Sequence, residues 1–254
     1  MTTSNQQWAA LERALKTSSA LKIISGLTNL DTRNVTDVVT AAQQGGATFV
    51  DIAADADLVR LVDSLIDLPI CVSAVDPQQF VAAVAAGADM IEIGNFDAFY
   101  AQGRRFEGPE VLALTQQTRA LLPNIKLSVT VPHILSLDSQ VQLAEDLVAA
   151  GADIIQTEGG TSSAPSHSGI LGLIEKASPT LAAAHAIAHA VSVPVLCASG
   201  ISDVTAPMAL AAGAAGVGVG SAVNKLNDPL AMIAVVRSLQ EAMQTVSTAK
   251  VTVR

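Results

Sequence analysis

Three polar side chains and one glycine occupy the same position in four similar segments of the chain. Each segment begins with a Gly at the end of an Ala-rich stretch, and an apolar run starts after two further residues. The fifth residue after the Gly lies within that apolar run and differs from one segment to the next. That position holds Asp51, Glu92, Gln156 and Gly218. Two carboxylates in one register point into the same interior, where a partly dry cavity can give them different pKa values and the roles of acid and base. The pattern predicts Asp51 and Glu92 as catalytic groups in a polar interior layer.

Two lysines offer a structural alternative for these carboxylates. Lys22 and Lys126 occupy positions in their own apolar runs where the side chain should also face the interior. The two lysines and the two carboxylates could therefore form a buried ionic network without catalysis. Lys22 beside Asp51 could also form a Schiff base with a carbonyl substrate. Its early position in its run, near the non-catalytic end of a barrel, argues against that use. The catalytic and the structural interpretation both stay open.

Further groups that can transfer protons follow two of the apolar runs. His133 comes just after Val129–Val131, and an imidazole that titrates near neutrality can act as acid or base; a solvated loop histidine is the alternative. Glu158 opens a Gly/Ser-rich segment, 158–163, that could close over a substrate as a lid or could simply be disordered. The predicted catalytic residues are Asp51, Glu92, His133 and Glu158, and the supporting candidates are Lys22, Thr130 and Gln156.

Glycines cluster after the last two apolar runs. Glycine lets a backbone approach a ligand closely, and a helix that starts near Ser221 would aim free N–H groups at an anion. The loops after strands 7 and 8 are a frequent phosphate site in barrels. Gly218 could instead serve tight packing. The predicted phosphate-binding residues are Ser199, Gly200, Gly220 and Ser221.

The elements that must position these groups alternate regularly between apolar runs and Ala-rich helices. Eight such units in 254 residues predict an α/β fold, a single (β/α)8 TIM barrel that spans 1–254 as one domain. An open doubly wound sheet is the competing architecture. An N-terminal helical extension, 1–18, carries Trp8, Leu11 and Leu15 on one face and is predicted to cover the bottom of the barrel.

Composition excludes several classes of protein. A net charge of −9 and an aromatic content of 3% argue against nucleic-acid binding. No apolar run is long enough for a membrane span. Cys71 and Cys197 stand alone in apolar runs and are expected to be buried packing residues. His185 and His189 have a metal-ligand spacing but lack nearby carboxylates, so no metal site is predicted.

The chain resembles two groups of barrel proteins. The stretch from Val193 to Ile201, with the glycines through Ser221, resembles the phosphate end of ribulose-phosphate-binding barrels, and its continuation to Met232 is similar to thiazole synthase. Thiazole synthase uses a strand 4 lysine where this chain has Glu92, so its activity is not implied here.

Over nearly its whole length the chain resembles the uncharacterised hypothetical chloroplast reading frame family of cyanobacteria and algal plastids. The segments Leu21–Leu27, Val129–His133 and Gln156–Gly160 carry that likeness. The resemblance implies a TIM barrel of unknown function in the cyanobacterial cytoplasm or the plastid stroma.

These observations predict an enzyme that acts on a small phosphorylated metabolite by proton transfer or carbon–carbon bond chemistry, as a lyase, isomerase or synthase does. A non-catalytic phosphometabolite sensor or assembly factor is the alternative, and a flavin-binding barrel that holds FMN is the third hypothesis. The sequence requires no cofactor. It predicts a phosphorylated small molecule as partner, with neither nucleic acid nor membrane, and leaves a homo-oligomer open.

Overall fold

Eight parallel strands close into a barrel in the order of the chain. The computed structural model describes residues 3–100, 102–159 and 164–252, and each strand pairs with its sequence neighbours, the first with the last. The strands are β1 Ala20–Ile24, β2 Phe49–Ala53, β3 Ile70–Ala74, β4 Met90–Ile93, β5 Lys126–Val131, β6 Ile154–Thr157, β7 Val195–Ala198 and β8 Gly216–Val219. The predicted (β/α)8 barrel is confirmed, and the open sheet is excluded.

Helices surround the barrel and fill the connections between its strands. They are α1 Thr3–Lys16, α2 Thr32–Gly45, α3 Ala56–Asp63, α4 Pro77–Ala85, α5 Asp97–Tyr100, α6 Gly108–Leu121, α7 Leu137–Ala149, α8 Gly169–Ala190, α9 Ala206–Ala211, α10 Ser221–Asn224 and α11 Pro229–Thr252. Among the described residues, no helix combines the length and the apolar character that a membrane span requires.

Local sequence signals set many of the helix boundaries. The side chains of Asp31, Asp55 and Asp76 each accept hydrogen bonds from backbone N–H groups in the first turn of the helix that follows. These bonds satisfy donors that a helix start leaves without a partner. Gly46 ends α2 in the left-handed conformation, with φ 87°, which a glycine adopts without steric cost.

Two helices differ from the sequence prediction. We expected the helix after β6 to begin near Pro179, but α8 begins at Gly169 and continues through that proline. The segment from Leu171 to Lys176 contains strong helix formers, and their propensity sustains the helix ahead of Pro179. The short helix α5 was not predicted, because four residues give too little periodicity to detect.

The N-terminal end of the barrel is closed by α1. Leu11 is completely buried against a cluster of inward-facing residues near the start of several strands, among them Phe49, Met90 and Leu196. Trp8 and Leu15 pack on the same cluster. This packing confirms that the N-terminal helix covers the bottom of the barrel and leaves the opposite end for ligands.

The centre of the barrel is polar, as the repeated register predicted. Lys22, Asp51, Glu92 and Gln156 are at most 1% exposed. Lys126, however, is exposed at the start of β5 and pairs with Asp153 at 3.2 Å, so its predicted place in the interior network is wrong. Lys126 is the first residue of β5, two residues before the inward-facing Ser128, so its side chain lies at the N-terminal end of the barrel, where water reaches it.

Candidate functional site

A buried lysine holds two carboxylates together at the centre of the barrel. Lys22 Nζ lies 2.7 Å from Glu92 Oε2 and 3.1 Å from Asp51 Oδ2. Ser128 Oγ donates to Glu92 Oε2 at 2.7 Å, and Ser73 Oγ donates to Asp51 Oδ1 at 2.6 Å. The three charged groups come from β1, β2 and β4, so only barrel closure brings them into contact.

Burial and the neighbouring charges shift the pKa values of Lys22 and Glu92. Burial alone would lower the pKa of Lys22, but the attraction of Asp51 and Glu92 outweighs it, and the pKa lies above its ordinary value. Burial raises the pKa of Glu92, although Lys22 counteracts the effect. Lys22 therefore stays protonated and lacks the lone pair that Schiff-base formation needs. The arrangement favours the structural interpretation of Lys22.

A layer of neutral side chains separates the ionic cluster from the open end of the barrel. Asn95 Nδ2 lies 3.2 Å from Ser73 Oγ and 3.4 Å from a carboxylate oxygen of both Asp51 and Glu92. Asn95 has φ 61°, a left-handed conformation that Asn tolerates better than most residues. Gln156 Nε2 donates to Glu92 Oε1 at 2.7 Å. Asp51 and Glu92 thus lie beneath the floor of the cavity described next and do not line it.

A cavity of about 460 Å³ opens above this floor at the carboxyl ends of the strands. Asn95, Thr130 and Gln156 line its base, and the side toward β6 carries Asp97 and Glu158. All four predicted phosphate-binding residues line the cavity: Ser199, Gly200, Gly220 and Ser221.

The backbone after β7 and β8 is unusual in shape. Ser199 and Gly200 both have left-handed φ values, 80° and 73°. The Ser199 hydroxyl donates to the Gly159 carbonyl at 2.7 Å, which ties this turn to the end of β6. A side chain at Gly200 would also meet the backbone of Lys176, whereas Gly220 has space around it for a Cβ. The turn therefore presents backbone to the cavity with little side-chain cover.

Two lysines on the cavity wall were not predicted. Lys176 reaches it from α8 and Lys225 from the end of α10. Lys176 lies in the helix after β6, outside the glycine-rich loops after β7 and β8, so the glycine motif gives no indication of it. Lys225 lies only four residues beyond Ser221, and that spacing was a usable signal. Both cations favour an anionic ligand in the cavity.

Glu158 holds the loops after β4 and β5 together. Its Oε1 accepts the Asp97 N–H at 2.9 Å, and its Oε2 accepts the Tyr100 hydroxyl at 2.9 Å and the His133 N–H at 3.3 Å. His133 Nδ1 lies 3.1 Å from Oε2 and 3.5 Å from Asp97 Oδ1. Among these residues, Asp97 and Glu158 line the cavity.

Glu158 also sets the protonation of its neighbours. Its hydrogen bond raises the pKa of His133 above the ordinary value, against the opposing effect of partial burial. Burial and the negative charge of Glu158 raise the pKa of Tyr100, so this phenol stays protonated. The structure thus brings the predicted His133 and Glu158 into contact and adds Asp97 and Tyr100, which sequence reasoning missed because they lie in a loop of no clear pattern.

One group in the described part of the chain has the spacing of a metal site. Ligand atoms of Asp97, His133 and Glu158 lie within 4.8 Å of one another. Hydrogen bonds among these groups already account for their proximity without a cation. The ring Nδ1 of His189 contacts the His185 carbonyl at 2.7 Å, so this nitrogen is directed at its own helix.

Two further sequence predictions can be placed. Cys71 and Cys197 are both buried, as expected, and burial raises the pKa of Cys197 to about 12. The predicted lid begins at Glu158, but its residues 160–163 lie outside the described residues.

The closed barrel and the cavity at the carboxyl ends of its strands define the class: a (β/α)8 barrel with the ligand cavity typical of barrel enzymes. The chain belongs to the family described as protein of unknown function (DUF561), whose model matches residues 4–249. Similar proteins include the uncharacterized protein ycf23 of Cyanophora paradoxa, 44% identical over 88% of this chain and 92% of that protein. The protein of the same name from Porphyra purpurea is 38% identical over 89% and 86%. These relatives confirm the resemblance to the chloroplast reading frame family.

Solved structures share the fold at low sequence identity. Thiamine phosphate pyrophosphorylase from Pyrococcus furiosus is 19% identical, with a TM-score of 0.59 over 91% of this chain and 98% of that chain. A 3-hexulose-6-phosphate synthase is 16% identical, with a TM-score of 0.64 over 88% and 99%. Geranylgeranylglyceryl phosphate synthase from Thermoplasma acidophilum is 13% identical, with a TM-score of 0.59 over 92% and 98%. At these identities the comparison establishes the barrel fold.

Proposed function

We propose that this protein is an enzyme that binds a small phosphorylated metabolite and changes it by proton transfer or carbon–carbon bond chemistry. One observation carries the proposal. A single cavity joins the glycine-rich turns after β7 and β8, with Lys176 and Lys225, to the carboxylates Asp97 and Glu158. An anion-binding end and an acid–base end therefore share one space.

The anion-binding end has the properties that a phosphate requires. Backbone exposed at Gly200 and Gly220 can donate N–H groups, and the two lysines supply positive charge in a protein whose net charge is −9. A phosphate ester seated there could extend its carbon chain over Gln156 and Thr130 toward Asp97 and Glu158, which line the same cavity.

Another part of the cavity lining supplies the groups for proton transfer. Asp97 and Glu158 reach the cavity, and His133 contacts both. A carboxylate next to an imidazole can take a proton from a carbon or hydroxyl of the substrate and return it. Asp51, Glu92 and Lys22, beneath the floor, would fix the electrostatic environment without touching the substrate.

The names of the structural neighbours support the same substrate class. They describe enzymes of thiamine phosphate and hexulose phosphate chemistry, and a synthase in complex with its substrate sn-glycerol-1-phosphate. By analogy, the substrate of this protein carries a phosphate on a short carbon skeleton. The proposal also assigns the protein to the cyanobacterial cytoplasm or the plastid stroma, and the likeness to the ycf23 proteins supports that assignment.

A thermal-shift screen with a matched pair of variants tests the phosphate site. Inorganic phosphate, sugar phosphates, glycerol phosphates and FMN form the panel. Gly220→Asp adds a negative charge where the turn has room for a Cβ, and Gly220→Asn adds nearly the same volume without charge. We expect phosphate esters to raise the Tm of the wild type, and Gly220→Asp to lower their affinity at least tenfold more than Gly220→Asn does.

The outcomes separate the proposed enzyme from its rivals. If no phosphate compound stabilises the wild type, or if both variants behave alike, the phosphate site is refuted. A compound that binds is then incubated with the protein and followed by ³¹P and ¹H NMR. Turnover that Asp97→Asn abolishes while binding persists supports the enzyme. Binding without turnover supports a sensor, and selective binding of FMN supports a flavin protein.

A further inference from the structure

The carbonyl oxygen of Gln156 is an unsatisfied acceptor in the floor of the cavity. The side chain is 1% exposed, and Oε1 has no hydrogen-bond partner among the residues that the structure describes. Buried polar atoms in proteins nearly always have a partner, so such an atom calls for a physical explanation. Its position on a ligand cavity suggests that the missing partner comes from a ligand.

The orientation of this amide is fixed by the ionic cluster below it. Nε2 donates to Glu92 Oε1 at 2.7 Å and to Thr130 Oγ1 at 3.3 Å. A flipped amide would place its oxygen against the carboxylate oxygen, and two acceptors repel at that distance. Lys22 and Ser128 occupy the other oxygen of Glu92, which keeps Oε1 directed at Gln156. The cluster therefore holds the Gln156 carbonyl away from Glu92.

The carbonyl is directed toward the bare backbone of β8. An added Cβ on Gly218 would lie 3.3 Å from Gln156 Oε1, and both residues line the cavity. The repeated register that supplies Asp51, Glu92 and Gln156 supplies glycine at this one position. A Cβ there would also lie 2.9 Å from the Ala198 Cβ, so only the bare backbone fits this close to the acceptor. Gly220, at the phosphate end, is two residues further along the chain, just after β8 ends, roughly 6–7 Å away in an extended backbone.

We propose that Gln156 Oε1 accepts a hydrogen bond from a hydroxyl of the bound ligand, so that the cavity selects phosphate esters with a hydroxyl two or three carbons from the phosphate. This inference rests on the proposed phosphate site and makes Gln156 a specificity-determining residue. A neutral hydroxyl fits better than an ammonium donor, because Lys176 and Lys225 already place positive charge in the cavity.

The test compares ligands that differ only in their hydroxyls. Binding of sn-glycerol 3-phosphate, propyl phosphate and inorganic phosphate is measured by calorimetry with the wild type and with Gln156→Met, which keeps the length of the side chain and removes its amide. We expect the wild type to bind glycerol phosphate about tenfold more tightly than propyl phosphate, the effect of one well-formed hydrogen bond. Gln156→Met should lose this preference and retain its affinity for inorganic phosphate.

Ser202→Ala is the matched control, since it removes a hydroxyl from another part of the cavity lining and leaves the contacts of Gln156 with Glu92 and Thr130 in place. The preference for glycerol phosphate should survive in this variant. Loss of the preference in Ser202→Ala, with its retention in Gln156→Met, would assign the contact to Ser202 and overturn the inference.

The wild type alone also decides the question if Gln156→Met does not fold. Equal affinities for glycerol phosphate and propyl phosphate in the wild type refute the role of Gln156, for instance because a water satisfies its carbonyl. Failure of all three compounds to bind refutes the phosphate site itself.

Discussion

At the scale of single residues, Lys22 explains how two carboxylates can lie at the centre of a barrel. An ionised carboxylate loses its hydration on burial, and a lysine at 2.7 and 3.1 Å replaces part of it. Serine hydroxyls, Asn95 and Gln156 donate further hydrogen bonds to the two carboxylates. The cluster fixes Gln156 in turn, so its effect on the cavity is indirect.

Replacing Lys22 should destabilise the protein strongly. Lys22→Met leaves Asp51 and Glu92 buried without a cation, which costs about 3–5 kcal/mol in the free energy of unfolding. Lys126→Met removes an exposed pair with Asp153 and should cost less than about 1 kcal/mol. Urea denaturation followed by circular dichroism measures both values.

The loss in Lys22→Met should depend on pH. Burial already raises the pKa of Glu92 in the folded state, and without the opposing cation this rise is larger, so the folded state binds more protons than the unfolded state and its stability falls as pH rises. We expect a larger loss at pH 8 than at pH 5, and no such trend for Lys126→Met. A loss of the same small size in both variants would show that Lys22 does not neutralise the cluster.

At the scale of elements, Glu158 connects two loops that lie in different parts of the sequence. It lies at the end of β6 and accepts hydrogen bonds from Asp97 and Tyr100 after β4 and from His133 after β5. Stacked aromatic rings of Phe96 and Phe106, with centroids 4.5 Å apart, support the same loop from its buried side. The acid–base wall of the cavity therefore depends on one carboxylate.

Removing the hydrogen bond between Tyr100 and Glu158 should make α5 more mobile. Tyr100→Phe deletes the hydroxyl that Glu158 accepts, and we expect amide hydrogen exchange in residues 95–100 to accelerate about three- to tenfold, as the loss of one hydrogen bond implies. Glu110→Gln is the control, because it removes only the exposed ion pair with Arg104 nearby. If the two variants exchange at the same rate, Glu158 does not hold this loop in place.

At the scale of the whole molecule, closure of the barrel brings the first barrel helix and the last helix together. Gly45 at the end of α2 packs against Val236 of α11 so closely that a Cβ at this position would overlap the valine side chain. The glycine thus permits contact between elements from opposite ends of the chain.

A methyl group at this contact should destabilise the closed barrel. We expect Gly45→Ala to lower the free energy of unfolding by about 1–3 kcal/mol through overpacking. In a Val236→Gly background the same substitution should cost much less, because both the Cβ and the Cγ1 that the new methyl group would meet are gone. Equal costs in the two backgrounds, measured by urea denaturation, would contradict close packing between α2 and α11.

Sequence patterns predict features that depend on local order. The alternation of apolar runs and capped helices identified the eight strands, and the repeated register identified the inward positions of Asp51, Glu92 and Gln156. Both follow from the backbone, since successive side chains in a strand point to opposite faces. The glycines after β7 and β8 were likewise visible as a motif.

The sequence by itself determined the barrel, its polar interior and the end at which a ligand would bind. Only the tertiary structure decided which charges meet: it paired Lys22 with the carboxylates, placed Lys126 at the rim, brought Lys176 to the cavity and joined Asp97 and His133 through Glu158. These contacts depend on the tilt of the strands and on where loops from distant parts of the chain converge. Local sequence propensity does not predict the strand tilt or the meeting of distant loops, because both are established only when the eight strands close into the barrel.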